Sequence, residues 1–226
     1  MPLFEILAVV LLADLVSGLV HWWEDAYASP GVGRTDGLLG RIARDNLRHH
    51  ARPREFLAKG YWASSWDLWL LGATVVGVAA AADLLSWHVV LFASLVANAN
   101  QVHKWAHMQA AELPRVVAAL QRLMLLQTTR HHSRHHQGAR DTHYCVLTNL
   151  LNPVLEELQA WRRLERVIER LTGIRRRDEA AALEQLGLAP RAAVPNFRVR
   201  LTQAILRGVH WRPAAWPTAG LTGAVG

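Results

Sequence analysis

Cysteine is almost absent. Cys145 is the only one in 226 residues, so no intrachain disulfide can form, and a disulfide scaffold or a cysteine-rich zinc module is excluded. Charge is scarce too. Asp, Glu, Lys and Arg make up 19% of the chain against 51% for the hydrophobic set, which excludes disorder for most of it and undersupplies an ordinary solvated surface. Lys and Arg are missing altogether from Met1 to Gly33 and from Gly60 to His103. There is no internal repeat and no Gly-rich phosphate loop.

The stretches that lack basic residues are the apolar ones. Ile6 to Val20 has Asp14 as its only formal charge, and Leu68 to Val102 has only Asp83. A crossing of the hydrocarbon core takes about 20 apolar residues, so the pattern predicts three spans, at about 3–23, 64–84 and 86–106, the last two a hairpin turning near Asp83 to Trp87. The basic residues lie in two blocks, seven from Arg34 to Lys59 and eighteen from Lys104 to Arg212. With this topology both blocks fall on one side, which the excess of Lys and Arg marks as cytoplasmic. A cleaved signal peptide is the alternative for the first run, because Ala26-Tyr27-Ala28 resembles a cleavage site, but a positive n-region is missing. The net charge of +7 and pI near 10.6 match anionic lipid headgroups better than nucleic acid, for which no binding module is legible. Trp22, Trp23, Trp62, Trp66, Trp69, Trp87 and Trp105 read as an interfacial aromatic belt.

Further helices are predicted over Pro114 to Gln127, too short to span, over Asn152 to Gly173, and over Asp178 to Leu188. In the second of these, Val154, Leu155, Leu158, Trp161, Leu164, Ile168 and Leu171 recur on one face and Arg162, Arg163, Arg166 and Arg170 dominate the rest. That helix either lies on the membrane or packs over the catalytic face. Beyond Ala189 the composition suggests an irregular tail. The expected organisation is an all-α membrane bundle, with a catalytic domain over 1–173 and a cytoplasmic tail over 174–226.

Ten of the twelve histidines fall at the cytoplasmic ends of these spans or in the basic blocks: His21, His49, His50, His103, His107, His131, His132, His135, His136 and His143. His88 and His210 stand apart and are read as structural. His103 and His107, four apart, project from one face of a helix, and His131 to His135 and His132 to His136 repeat the spacing within HHSRHH. Neutral imidazole is the commonest metal ligand, and Asp25, four residues after His21, adds a carboxylate. So large a set fits two metals better than one. Spacing alone leaves iron, zinc, copper and nickel open. At a membrane face, however, oxidation of an unactivated lipid C–H bond needs a redox metal, which zinc is not. Asp14 is costly in hydrocarbon and so faces the bundle interior, where it either shapes a lipid tunnel together with Asn100 or serves helix packing.

At these residues the sequence resembles the Kua/CarF family of membrane lipid desaturases. The shared features, in order, are ADLVSGLVHW (Ala13 to Trp22) with Asp25, His49-His50 with Pro53, NQVHKWAH (Asn100 to His107), LPR (Leu113 to Arg115), HHSRHH (His131 to His136) and WRRLERVIERLTG (Trp161 to Gly173). The resemblance covers roughly Leu11 to Gly173. It implies an integral membrane oxidoreductase with two iron ions held by histidine boxes, acting on a glycerophospholipid with O2 and electrons from a separate donor of cytochrome b5 or ferredoxin type. In plasmalogen-forming members it implies insertion of the vinyl-ether double bond. An acyl-chain desaturase of phosphatidylglycerol and a histidine-box hydroxylase are the neighbouring readings. A zinc hydrolase and a b-type haem carrier stand further off. The chain departs from the animal members at Lys59 and Arg140, where they carry histidines, and at His143, where they carry an aromatic.

Overall fold

The first long apolar run of Leu, Val and Ala contains no internal proline and forms one uninterrupted helix, α1 (Pro2–Ala26). Described here from a computed structural model are residues 2–30 and 37–188. Within them the chain is all-helical, without strands: α2 (Leu38–Ala51), a 3-10 turn (Pro53–Ala58), α3 (Tyr61–Ala81), α4 (Trp87–Ala97), α5 (Ala99–His107), α6 (Arg115–Arg122), α7 (Thr129–His132), α8 (Leu151–Glu157), α9 (Ala160–Thr172) and α10 (Glu179–Gln185). All of these belong to one unit, and the predicted tail after Ala189, with His210, lies outside the described residues.

Two of the described helices, α1 and α3, are long and apolar enough to cross a membrane, where three crossings are predicted. The third run is divided at Asn98 into helices of 11 and 9 residues. Asn98 turns its amide back onto the Ser94 carbonyl at 2.9 Å and accepts the Tyr61 hydroxyl at 2.8 Å, a local bond that competes with the helix ladder. The hairpin turn falls over Ala82 to Ser86 as expected, with Asp83 in a left-handed conformation. Leu3, Phe4, Leu12, Leu70, Val78 and Leu84 stand exposed on these helices and their turn.

The other predicted helices are shorter than the sequence suggests. Pro114 to Gln127 is helical only to Arg122, with Met124 at φ 61°. Asn152 to Gly173 is broken by Gln159 (φ 48°), which separates α8 from α9. The break disrupts the single apolar face: Leu155, Trp161, Leu164 and Ile168 pack with Trp22 and Tyr144, while Val154, Leu158 and Leu171 are exposed. Trp22 is therefore core and not part of an interfacial belt. Gly173, at φ 72°, ends α9 as a left-handed cap, and Asp178 caps α10 by accepting from Ala181 N.

The core is stitched by an irregular segment, Tyr144 to Asn149, laid along α1. Gly18 permits the approach, because a Cβ there would meet Cys145 Sγ at 2.6 Å. Asp14, fully buried, accepts from Leu147 N at 2.8 Å and from Thr148 Oγ1 at 2.6 Å, while Ser17 Oγ accepts from Val146 N. Asn152 brackets Cys145, accepting from its N–H and donating to its carbonyl. The backbone polar groups of this buried segment thus find side-chain partners instead of water. Replacing Asp14 by Ala should strip two buried donors of their acceptor and cost about 2–4 kcal/mol. Thermal unfolding in detergent would show this as a lowered midpoint, with Asp14→Asn falling between Ala and wild type.

Candidate metal centre

Four parts of the chain deliver histidines to one end of the bundle: the last turns of α1 (His21, Asp25), α2 (His49, His50) and α5 (His103, His107), and α7 with the turn after it (His132, His135, His136). They sort into two groups whose candidate ligand atoms lie within 4.8 Å of one another. The first group is His49, His103, His107, His132 and His136; the second is His21, Asp25, His50 and His135. Sequence neighbours are divided between them. His49 joins the first and His50 the second, because adjacent helical residues point about 100° apart, and in the turn after α7 His136 joins the first and His135 the second.

In the first group all five Nε2 atoms converge. His132 Nε2 stands 2.8 Å from His103 Nε2, 3.0 Å from His107 Nε2 and 3.1 Å from His136 Nε2, and His107 Nε2 is 3.1 Å from His49 Nε2. One ring nitrogen carries at most one hydrogen, so these contacts cannot all be hydrogen bonds. Nitrogens about 2.1 Å from a shared ion and at right angles would stand about 3.0 Å apart, and a tetrahedral arrangement about 3.4 Å. The donor set therefore fits a cation of high coordination number. Burial first, and the neighbouring imidazoles after it, push His49 and His132 well down and His136 down to about 2, which keeps the rings in the neutral, ligating form.

In the second group His135 Nε2 lies 3.1 Å from His50 Nε2 and 3.4 Å from Asp25 Oδ2. Every histidine here has its other nitrogen fixed from outside. His21 Nδ1 pairs with the Tyr144 carbonyl at 3.0 Å, His135 Nδ1 with the Thr142 carbonyl at 2.8 Å, and His50 Nδ1 with Glu179 Oε1 at 3.1 Å. Asn46 Nδ2 donates to Asp25 Oδ1 at 2.5 Å. Such partners set the tautomer so that Nε2 presents its lone pair inward. Burial works against a charged His50, but Asp25 and Glu179 outweigh it and raise its pKa. Glu179, which burial would push up, is instead held down to about 2 by His50 and Arg140.

His131 and His143 join neither group. Their rings meet edge to face with centroids 5.2 Å apart, and the His143 backbone N–H donates to Glu156. α7 is a single turn, so His131 does not share a face with His135 as helical spacing predicts. Arg140 is no ligand position either, since its guanidinium clasps Glu179 at 2.6 Å, and Lys59 pairs with Asp45 at 2.8 Å. Glu179 and Tyr144 carry no sequence signal that ties them to histidines. Asn46 could have been found three and four residues before His49 and His50 had that segment been read as a helix.

A cavity of about 430 Å³ opens onto His21, His49 and His103. Val16, Val20, Leu68, Leu71 and Val96 form its apolar wall, and Arg41, Asp45 and Lys59 its polar rim. Asn100 lines it, its amide donating to the Ser64 carbonyl, whereas Asp14 is not among the lining residues and is spent on the core segment. His88 sits at the far end of α1, paired with Glu5 at 2.9 Å.

The lipid desaturase domain family matches residues 10–179. A mimivirus protein described as a probable fatty acid desaturase is 32% identical over 76% of this chain and 85% of its own length. Plasmanylethanolamine desaturase 1 of Mus musculus is 31% identical over 74% of this chain, and the plasmanylethanolamine desaturase of Myxococcus xanthus 28% identical over 80%. The match spans 65% and 66% of those two proteins, slightly under two thirds. No solved structure matches.

His132→Ala should abolish metal retention by detergent-purified protein, and His131→Ala should leave it intact, as read by elemental mass spectrometry. Glu179→Gln, which withdraws the carboxylate behind His50, should weaken metal affinity about 10- to 100-fold in a chelator competition.

Proposed function

Because the chain belongs to the lipid desaturase domain family, we propose that it is a membrane oxidoreductase that uses O2 and two iron ions to introduce a double bond into a glycerophospholipid chain, the vinyl-ether bond of a plasmalogen. The observation that carries this reading is the pair of abutting ligand groups, with nine side chains in all, at the end of a largely apolar cavity. When bound, the irons would supply the redox chemistry that O2 needs to act on an unactivated C–H bond.

The chain's own residues do the rest. The five-imidazole group and the three-imidazole, one-carboxylate group would each hold one ion. Val16, Val20, Leu68, Leu71 and Val96 would hold the lipid chain in register and exclude water from it, with the reacting carbons next to His21, His49 and His103.

In this reading α1, α3 and the α4–α5 pair are the three crossings, and the ligand-bearing ends face the cytoplasm. The exposed apolar side chains of these helices and the lopsided distribution of Lys and Arg support both statements. The catalytic domain would run over 1–173, and the segment from 174 would return to it through Glu179 on His50, Arg176 on Tyr144 and Leu183 on Leu47. The plasmalogen product rests on the names of two of the relatives, while four others are named fatty acid desaturases and stand for the acyl-chain alternative.

The test is conversion by the purified protein, supplied with O2 and a reducing system, of an alkyl-ether ethanolamine phospholipid and of a diacyl phosphatidylglycerol. A product two hydrogens lighter and cleaved by mild acid, formed from the ether lipid only, is the expected result. Product from the diacyl lipid alone would move the assignment to an acyl desaturase, and a product heavier by one oxygen would make the protein a hydroxylase.

A further inference from the structure

α9 spends its apolar side on the protein interior, where Trp161, Leu164 and Ile168 pack with Trp22 and Tyr144. Its opposite side carries Arg162, Arg163, Arg166 and Arg170, all exposed. Arg162 is paired with Asp141, and beyond the helix Arg175 is paired with Glu169 and Arg176 with Glu165. Arg163, Arg166 and Arg170 have no acidic partner among the described residues. At 100° per residue they fall within a sector of about 60°, so three like charges stand together at a cost to the helix that a bound anionic surface would offset. Val167 and Leu171, 48% and 80% exposed, give the patch an apolar border of the kind protein interfaces use.

Beneath this face an aromatic route leads to the ligand groups. The Trp161 ring is 5.1 Å from Tyr144, centroid to centroid, and Tyr144 is 5.2 Å from His135 and 5.8 Å from His21. Both intervening rings are buried. Under the reading proposed above, on which this step rests, the electrons do not balance within the substrate. Removing two hydrogens from a CH–CH pair yields two electrons and two protons, whereas reducing O2 to two waters consumes four of each. The missing two electrons must come from an external carrier, and the two protons from water.

We propose that the Arg163, Arg166 and Arg170 face of α9 is the docking surface of an acidic one-electron redox protein, which sits two buried rings from the His21 and His135 group. A carrier protein fits better than a bilayer, because most of the helix's apolar side is already buried and only Val167 and Leu171 are left to insert between lipids. Exposed charges at such a rim act mainly on encounter rate and salt dependence.

The full chain, in nanodiscs of zwitterionic lipid, is titrated with two acidic probes, the soluble haem domain of a cytochrome b5 and a plant-type [2Fe–2S] ferredoxin, at low salt and at high salt, with no lipid substrate added. At least one probe should bind, more weakly as salt rises, and Arg163→Glu/Arg166→Glu/Arg170→Glu should weaken it about tenfold or more with iron content unchanged. Charge reversal at two exposed residues off this face, Arg115→Glu/Arg122→Glu, should shift affinity less than about twofold. Binding of neither probe to the wild type, or equal binding by the triple variant, overturns the proposal. So does a triple variant whose only loss is co-purifying phosphatidylglycerol, which would assign the face to anionic headgroups. The two readings fail separately: carrier binding without any desaturated product removes the function and leaves the docking face, whereas product formed by the triple variant at the wild-type rate with carrier as sole reductant removes the face and leaves the function.

Discussion

Eight imidazoles and one carboxylate turned inward upon one another form an arrangement that water would normally dissolve, and the rest of the structure is built to keep water out and the rings in place. Buried polar atoms that face only other acceptors cost free energy, so each ring has to be fixed from its far side or by its packing. In the second group the far side is complete: the carbonyls of Tyr144 and Thr142 and the carboxylate of Glu179 take the outer nitrogens of His21, His135 and His50. In the first group the outer nitrogens of His49, His132 and His136 have no such partner, so packing alone orients those rings. The two groups are therefore unlike in charge and in rigidity, one all-imidazole, the other holding Asp25 and backed by Glu179 and Arg140.

This burden explains the segment from Tyr144 to Asn149. It supplies the carbonyl that holds His21 and the ring that covers His21 and His135, and it is itself pinned to α1 by Asp14, Ser17 and the close approach at Gly18. Asp14 thus acts on the site through the backbone it anchors. The same segment supports Trp161 and so fixes α9 over the second group. α10 plays the matching part for α2, with Leu183 packed on Leu47 while Glu179 reaches His50.

Much of this was readable in the residues. Apolar run length located α1 and α3, charge asymmetry put the histidine-bearing ends together, and the i, i+4 pairs His103/His107 and His21/Asp25 entered a common group because α1 and α5 are regular helices there. Pattern reading failed where a single residue changes the backbone path. Asn98, Met124 and Gln159 each end a helix that composition would continue, and none is a proline or glycine. Trp22 was misread for a related reason: a tryptophan near a span end looks interfacial unless a partner such as Trp161, more than a hundred residues away, is known to cover it.

The sequence by itself determined the all-helical class, the apolar stretches and the set of histidines from which a centre is drawn, because these follow from composition and from periodicities of one helix turn. Only the tertiary structure decided how the set divides. It sent His49 and His50 to different groups, took His132 and left His131, and recruited Asn46 together with Glu179 and Tyr144, the last two of which no local pattern marks. The reason is geometric. A ligand group is a point in space reached from several distant helices, and which side chains meet there depends on how the helices are rotated and where they stop, which their long-range packing sets.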